Sequence, residues 1–209
     1  MAINGAVGAI YQTSGPSVEF SQKELTNSGD NMRYYITEAT SRYWDNSAPV
    51  TIEKSTNGGS SWVIVTTGFT IEHAGGHVVF DTDQGNAIFR ATGKKFNTVF
   101  VGGGFNWSLD IEVETMDSTT FASSGWREFS RSFAGFSGSF EQYWTNGEAS
   151  LQVGQATFII ILYVDSGTSK SRYEGYAIIT SDSIETASDS LVQETIDFNG
   201  NGKIYYRAG

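Results

Sequence analysis

Apolar and polar residues alternate in short runs along most of the chain. Val50-Thr51-Ile52-Glu53-Lys54 repeats with period two, the mark of a strand with one covered face. Asn57-Gly58-Gly59 follows as a hairpin signal, because Asn and Gly accept positive φ, and Ser61-Trp62-Val63-Ile64-Val65 supplies the partner strand. Phe69-Thr70-Ile71-Glu72, the turn Ala74-Gly75-Gly76 and His77-Val78-Val79-Phe80 repeat the unit. Tyr34-Tyr35-Ile36-Thr37 and residues 86–90 and 97–101 read as further short strands. Residues 3–12 read as a strand or a small-residue arm, since glycine weakens strands and suits close backbone packing. Residues 13–31 read as polar, turn-rich chain.

Gly102-Gly103-Gly104 is the clearest break, and the predicted strands lengthen after it. Over residues 107–115 the alternation puts Leu109, Ile111 and Val113 on a core face and Asp110, Glu112 and Glu114 on the other. Residues 133–143, 155–164, 171–181 and 188–198 complete a set of long strands, and Asn199-Gly200-Asn201-Gly202 turns into a last one at 203–206. One short helix is expected near 146–153, with Asn146 as its cap, Glu148 at its positive end and Gly154 as its stop. The expected fold is all-β, an antiparallel β-sandwich or barrel with that one helix. Its expected parts are an N-terminal arm and loop at 1–31, a small β lobe at 32–101 and a β-sandwich core at 102–209.

Composition removes several kinds of chemistry. The 209 residues include no cysteine, which excludes disulfides, thiolate zinc sites and a cysteine nucleophile, and only two histidines. The 39% hydrophobic and 14% aromatic content is enough for a real core. A net charge of -10 sets the surface against DNA phosphates and anionic lipids. Residues 1–5 lack the basic start and apolar stretch of a signal peptide. The longest apolar run, 156–164, is about half of the ~20 residues that a membrane helix needs, and reads as a buried strand.

Candidate chemistry is sparse. His73 and His77 have metal-ligand spacing for a helix, but the glycines between them make a solvated turn the simpler reading. Asp197 to Gly202 and Asp81 to Asn86 match the start of a calcium loop without its closing acid, so Asx-stabilised turns are expected instead. No phosphate loop, nucleophile elbow or dinucleotide fingerprint occurs. Glu112 with Glu114 suits a solvated strand face better than a glycosidase pair. Trp44, Trp62 and Trp144 suggest a sugar-stacking platform, or alternatively core and interface anchors. No enzyme, cofactor or metal is expected. The three carboxylates on the 107–115 strand are either a wet outer face or a surface facing a polyanion that it must not bind.

From residue 107 onward the chain resembles the major tail proteins, or tail tube proteins, of long-tailed phages. The residues that carry this are Met116-Asp117-Ser118-Thr119-Thr120-Phe121 with Gly125-Trp126-Arg127-Glu128, the small-residue strand Phe133-Ala134-Gly135-Phe136-Ser137-Gly138-Ser139-Phe140-Glu141, and the apolar strand at 158–164. Glu174-Gly175-Tyr176-Ala177-Ile178-Ile179-Thr180-Ser181 and the terminal Phe198-Asn199-Gly200-Asn201-Gly202 follow in order. Tyr34, Ile36, Arg42, Trp44 and Asp45, with Gly75-Gly76, Val78, Phe80 and Ala91-Thr92-Gly93, are similar to a small β unit of phage virion proteins.

The resemblance implies a virion component assembled in a bacterial cytoplasm. Hexameric rings would stack into a hollow tube, each subunit adding an antiparallel sheet to one continuous barrel. Double-stranded DNA would pass through without specific binding. The tape measure protein, tail terminator and distal tail protein would be partners. Candidate lumen-facing residues are Asp110, Glu112 and Glu114, with Gln193, Thr195 and Asp197. Arg127, Glu128 and Arg131 are candidates for pairing between subunits, or else solvated side chains. The alternative function is a carbohydrate-binding β-sandwich.

Overall fold

A computed structural model describes residues 9–144, 153–154, 157–164, 171–186, 188 and 191–208. Among them the regular structure is strand, apart from short 3-10 turns at Ala39–Ser41 and Phe121–Ser123. Most of the helix expected at 146–153 lies outside the described residues; Val153 and Gly154 form a turn, with Gly154 at φ 70. The chain divides into two compact units, one of residues 11–100 and one of residues 1–10 with 101–209.

The 11–100 unit holds β2 (Val18–Asn27), β3 (Arg33–Ile36), β4 (Thr51–Ser55), β5 (Val63–Val65), β6 (Phe69–Glu72), β7 (His77–Phe80) and β8 (Ile88–Lys95). They form one antiparallel sheet in the order β5-β4-β8-β2-β3-β7-β6. Trp44 is fully buried beside Phe20, Tyr34, Ile36 and Phe89, and its indole N–H donates to the Ser41 carbonyl at 2.7 Å. That bond lets a large side chain with one polar atom enter the core without an orphaned donor.

Two readings of this region need correction. Residues 13–31 contain the ten-residue strand β2 rather than loop alone. Its pattern was hidden because a bulge at Gln22, which has φ 52, shifts the register between Phe20 and Lys23. Phe20 and Leu25 are both buried although five positions apart, so period two fails across the bulge. The turn between His73 and His77 is also not solvated. Ala74, Gly75 and Gly76 are buried, and a Cβ on Gly76 would sit 2.9 Å from Ile36 and 3.2 Å from the Trp44 ring.

The other sheet is built from β1 (Ala9–Thr13), β9 (Thr98–Asp117), β10 (Phe129–Tyr143), β11 (Phe158–Tyr163), β12 (Arg172–Glu185), β13 (Gln193–Gly200) and β14 (Tyr205–Arg207). Its pairings run β11-β1-β9-β10-β13-β12 and return from β12 to β11, so the circuit closes as in a barrel. β14 pairs with the first part of β12. Ile10, Phe136, Phe140, Phe158, Ile196 and Phe198 are among the residues that fill this unit's core. β11, Phe-Ile-Ile-Ile-Leu-Tyr, is buried on both faces over its first five residues, which explains its unbroken apolar run.

The glycine triplet at 102–104 is not a break. It lies within β9, which runs 20 residues without interruption, although the division between units falls close by, after Phe100. Gly104 meets a packing demand: a Cβ there would overlap the Phe140 ring. The expected core positions on β9 also divide. Leu109 packs on the core with Trp107, but Ile111 and Val113 are 57% and 44% exposed. The β9–β10 hairpin runs past the covered part of the barrel, so its outer half offers both faces to solvent.

Candidate functional site

The strand registers bring the predicted polar positions onto one face. Residues directly paired across antiparallel strands share a face. One row runs Asp110–Ser137–Asn199–Ile178 across β9, β10, β13 and β12. The next rows are Ser108–Ser139–Asp197–Ser181 and Asn106–Glu141–Thr195–Ser183. Tyr143, Gln193 and Glu185 make a further row, and Glu112 faces Gly135. Glu114 continues the β9 alternation, opposite a bulge of β10 between Arg131 and Ala134. Asp110, Glu112, Glu114, Gln193, Thr195 and Asp197 therefore lie on the same face of a four-stranded sheet.

The opposite face of these strands is the core. Phe198 and Ile179 are paired with each other there, as are Phe140 and Ile196, with Trp107 and Leu109 packed against them. Period two thus sorts this sheet into a mainly apolar interior, which also buries the hydrogen-bonded pair Gln142 and Glu194, and a polar exterior.

The polar face carries Asp110, Glu112, Glu114, Glu141, Glu185 and Asp197, and none of the residues placed on it is Lys or Arg. Its hydrogen bonds come from small hydroxyls. Ser108 and Ser139 share one at 2.9 Å, and Ser181 donates to Asp197 Oδ2 at 2.6 Å. Hydroxyls satisfy a carboxylate without cancelling its charge, so the face keeps a negative field. Phe133 interrupts it, lining a shallow depression with Glu112, Glu114 and Ser137. Glu141 and Glu185 escaped the sequence reading because their membership depends on strand register, which one strand's alternation does not reveal.

Arg127 and Glu128 lie in the connection between β9 and β10, and Arg131 pairs with Thr115 on the side away from the carboxylates. All three are exposed. The sequence reading also missed the apolar surface beside them: Phe121 is fully exposed, Trp126 is 79% exposed, and Phe129 and Met116 are exposed too. The connection that presents them is ordered by local bonds. Thr120 and Ser123 form a capping box at the start of the 3-10 turn, in which Thr120 N–H donates to Ser123 Oγ at 3.1 Å; Ser124 is left-handed, and Glu128 N–H donates to Thr119 Oγ1 at 3.0 Å. A signal was present in the sequence, since Phe121 and Trp126 stand where a turn normally carries only polar residues.

The three tryptophans of the sugar-stacking reading do not form a platform. Trp44 is wholly buried, Trp62 already has the Arg90 guanidinium over its ring at 4.3 Å, and Trp144 belongs to the other unit. Arg90 in turn holds Glu53 through two bonds of 2.7 and 2.9 Å, which keeps the Glu53 carboxyl below its ordinary range. The calcium-like segments act as local structure: Asp83 Oδ1 accepts from Gly85 N–H at 2.6 Å, and Asp197 sits inside β13. Burial holds the His73 imidazole below its usual range. Among the described residues, no cluster of three or more His, Asp or Glu is arranged to hold a metal ion.

No family model matches the sequence, and no curated protein matches it. Among solved structures, a chain of the virion of a native gene transfer agent particle is similar over 53% of this chain and 89% of its own, at 16% identity and a TM-score of 0.39.

Proposed function

We propose that this chain is a tail tube subunit of a phage-like virion, a structural protein that polymerises as stacked hexameric rings around a channel for DNA. The observation that carries this reading is the acidic face built jointly by β9, β10, β13 and β12, whose paired rows as described hold six carboxylates and no Lys or Arg, backed by an apolar core. A wall of this kind lets duplex DNA slide, because it neutralises no phosphates and releases no counterions.

Charge distribution supports the assignment. Residues 11–100 hold 7 Lys+Arg against 9 Asp+Glu, which leaves 6 against 14 for the barrel unit, so -8 of the net -10 belongs to that unit. In this reading the surplus is there for the channel. The sheet also has room to be continued. Pairing of β12 with β11 stops at Ala177, and the outer half of β9 extends well past the covered barrel. A neighbouring copy laid along these edges extends the sheet and removes exposed strand edges.

The exposed apolar residues of the hairpin fit the same assembly. A surface carrying Ile111, Val113, Phe121, Trp126 and Phe129 is costly in water and gains when a second copy covers it. Arg127, Glu128 and Arg131 are exposed in the same hairpin and its connection, where they can pair across a subunit boundary. The tape measure protein, tail terminator and distal tail protein are the other proposed partners, and the proposed location is the virion. No catalytic role and no cofactor is proposed. Carbohydrate binding has less support, because Trp44 is buried and Trp62 already stacks under Arg90.

Electron microscopy of the purified chain tests the assembly. Rings or tubes with an axial channel are expected. A strict monomer that binds polysaccharide would overturn the reading in favour of the carbohydrate module.

A further inference from the structure

We infer that Asn201 is a site of spontaneous deamidation in the folded chain, through attack of the Gly202 backbone nitrogen on its side-chain amide. Asparagine followed by glycine is the pairing most open to this reaction, because glycine has no Cβ to obstruct the approach of its nitrogen. Five such pairs occur, at Asn4, Asn57, Asn146, Asn199 and Asn201. Those at Asn4 and Asn146 lie outside the described residues. The structure separates the other three.

The reaction needs an amide that is free to turn and a backbone that can bring the next nitrogen onto Cγ. Asn57 is exposed but tied. Its Oδ1 accepts from Ser55 Oγ at 2.8 Å and from Ser61 N–H at 3.0 Å, and its Nδ2 donates to Ser61 Oγ at 2.8 Å. Turning its Cγ towards the Gly58 nitrogen breaks these bonds. Asn199 lies inside β13, paired with Ser137 of β10 on one side and Ile178 of β12 on the other. Its backbone is held extended, and a Cβ on the following Gly200 would overlap the Phe136 ring, so this peptide has no room to shift. Asn201 comes after the end of β13, in the turn towards β14. Its own N–H donates to the Tyr176 carbonyl at 2.8 Å, which anchors the backbone there and leaves the side chain untouched. Among the described residues, neither its side-chain amide nor the Gly202 N–H has a hydrogen-bond partner. Both residues are exposed, Gly202 has φ 106, and the space around its Cα is open.

The chemistry needs water and no other reagent. The Gly202 nitrogen loses its proton to solvent base and bonds to Asn201 Cγ. The Cγ–Nδ2 bond breaks, its electron pair stays with the nitrogen, and ammonia leaves after taking a proton from water. The cyclic imide then adds one water at either carbonyl and opens to aspartate or to isoaspartate. Nothing is oxidised or reduced. A neutral amide becomes a carboxylate, which takes the net charge from -10 to -11. This inference does not depend on the tube reading, since it concerns a surface turn of one copy.

Site-resolved mass spectrometry tests it. The intact chain is held in mildly alkaline buffer, with and without denaturing urea, then digested, and fragment ions locate each conversion and resolve Asn199 from Asn201. In the folded chain Asn201 should convert first, to a mixture of aspartate and isoaspartate. Asn57 should lag by about tenfold or more, the factor set by breaking one or two hydrogen bonds, and Asn199 should lag as well. In urea the three should convert at comparable rates, since each is followed by glycine. Asn57 or Asn199 converting as fast as Asn201 in the folded chain overturns the inference. So does an Asn201 that stays an amide when folded yet converts in urea. A ranking that persists unchanged in urea would assign it to local sequence, and overturns the inference too.

Discussion

Ser181 donates a hydrogen bond to Asp197 Oδ2 across β12 and β13 at 2.6 Å, on the face turned away from the core. The same row continues through Ser139 and Ser108. Serine beside a carboxylate, in place of lysine or arginine, keeps a surface wet, hydrogen-bonded and negative. A face intended for protein binding would gain from opposite charges in those positions. One that must let DNA pass gains from their absence.

This gives a prediction about charge reversal. Asp110→Lys, Glu112→Lys and Glu114→Lys together raise the net charge from -10 to -4 and set three cations on the sheet face. All three positions are exposed, so the fold should be retained. The variant should retain duplex DNA in a gel-shift assay at low salt, with a log–log salt slope approaching about -0.9 for each phosphate contacted. Wild-type protein should not. A triple variant that still ignores DNA would place these residues off the surface that DNA meets.

The hairpin predicts a separation of folding from assembly. Phe121→Ser and Trp126→Ser remove exposed side chains, so stability to denaturant should change by no more than about 0.5 kcal/mol each. Sedimentation should nevertheless show loss of the assembled form. Assembly that persists in the double variant would mean that another surface joins the copies.

The 11–100 unit predicts a core effect at a position that also tests sugar binding. Trp44→Ala should cost about 3–5 kcal/mol, because it empties a fully buried indole site and leaves the Ser41 carbonyl unpaired. Chemical denaturation monitored by fluorescence measures this. A near-neutral substitution would mean that Trp44 is not a core residue, and would restore it as a stacking candidate.

Acid should unfold this unit partly through Asp45. Burial on its own raises the Asp45 carboxyl, but bonds from Ser17 Oγ at 2.5 Å and from the Ser47 Oγ and N–H at 2.6 and 2.9 Å, with the Lys94 charge, outweigh it. The net shift is downward. Its stability contribution is therefore present above the unfolded value of about 3.9 and lost as pH falls through the lower folded value. Asp45→Asn should flatten the acid limb of a stability-against-pH curve. An unchanged limb would assign acid unfolding to other carboxylates.

Much of the fold was legible because period-two alternation is a local property. Strands near 51–55, 69–72, 77–80 and 158–163 were predicted close to where they lie. The failures came from features that alternation does not encode. The bulge at Gln22 disguised β2, and glycines at 102–104 looked like a hinge although the ring of Phe140 requires Gly104 inside a strand. Ile111 and Val113 carried the right periodicity for a core, yet how far the covered region extends along β9 depends on its neighbours. The six polar residues were assigned to one face from two separate strands. The register between β9, β10 and β13 is what joins them, and it adds Glu141 from the strand between.

The most direct test of the account is a reconstruction of the purified chain by electron cryomicroscopy at a resolution that separates strands. The predicted result is a tube of stacked hexameric rings in which β9, β10, β13 and β12 face the channel, with Asp110, Glu112, Glu114 and Asp197 on its wall. A monomer at high concentration, or a tube whose channel is lined by a different surface while this face lies outside, would contradict it.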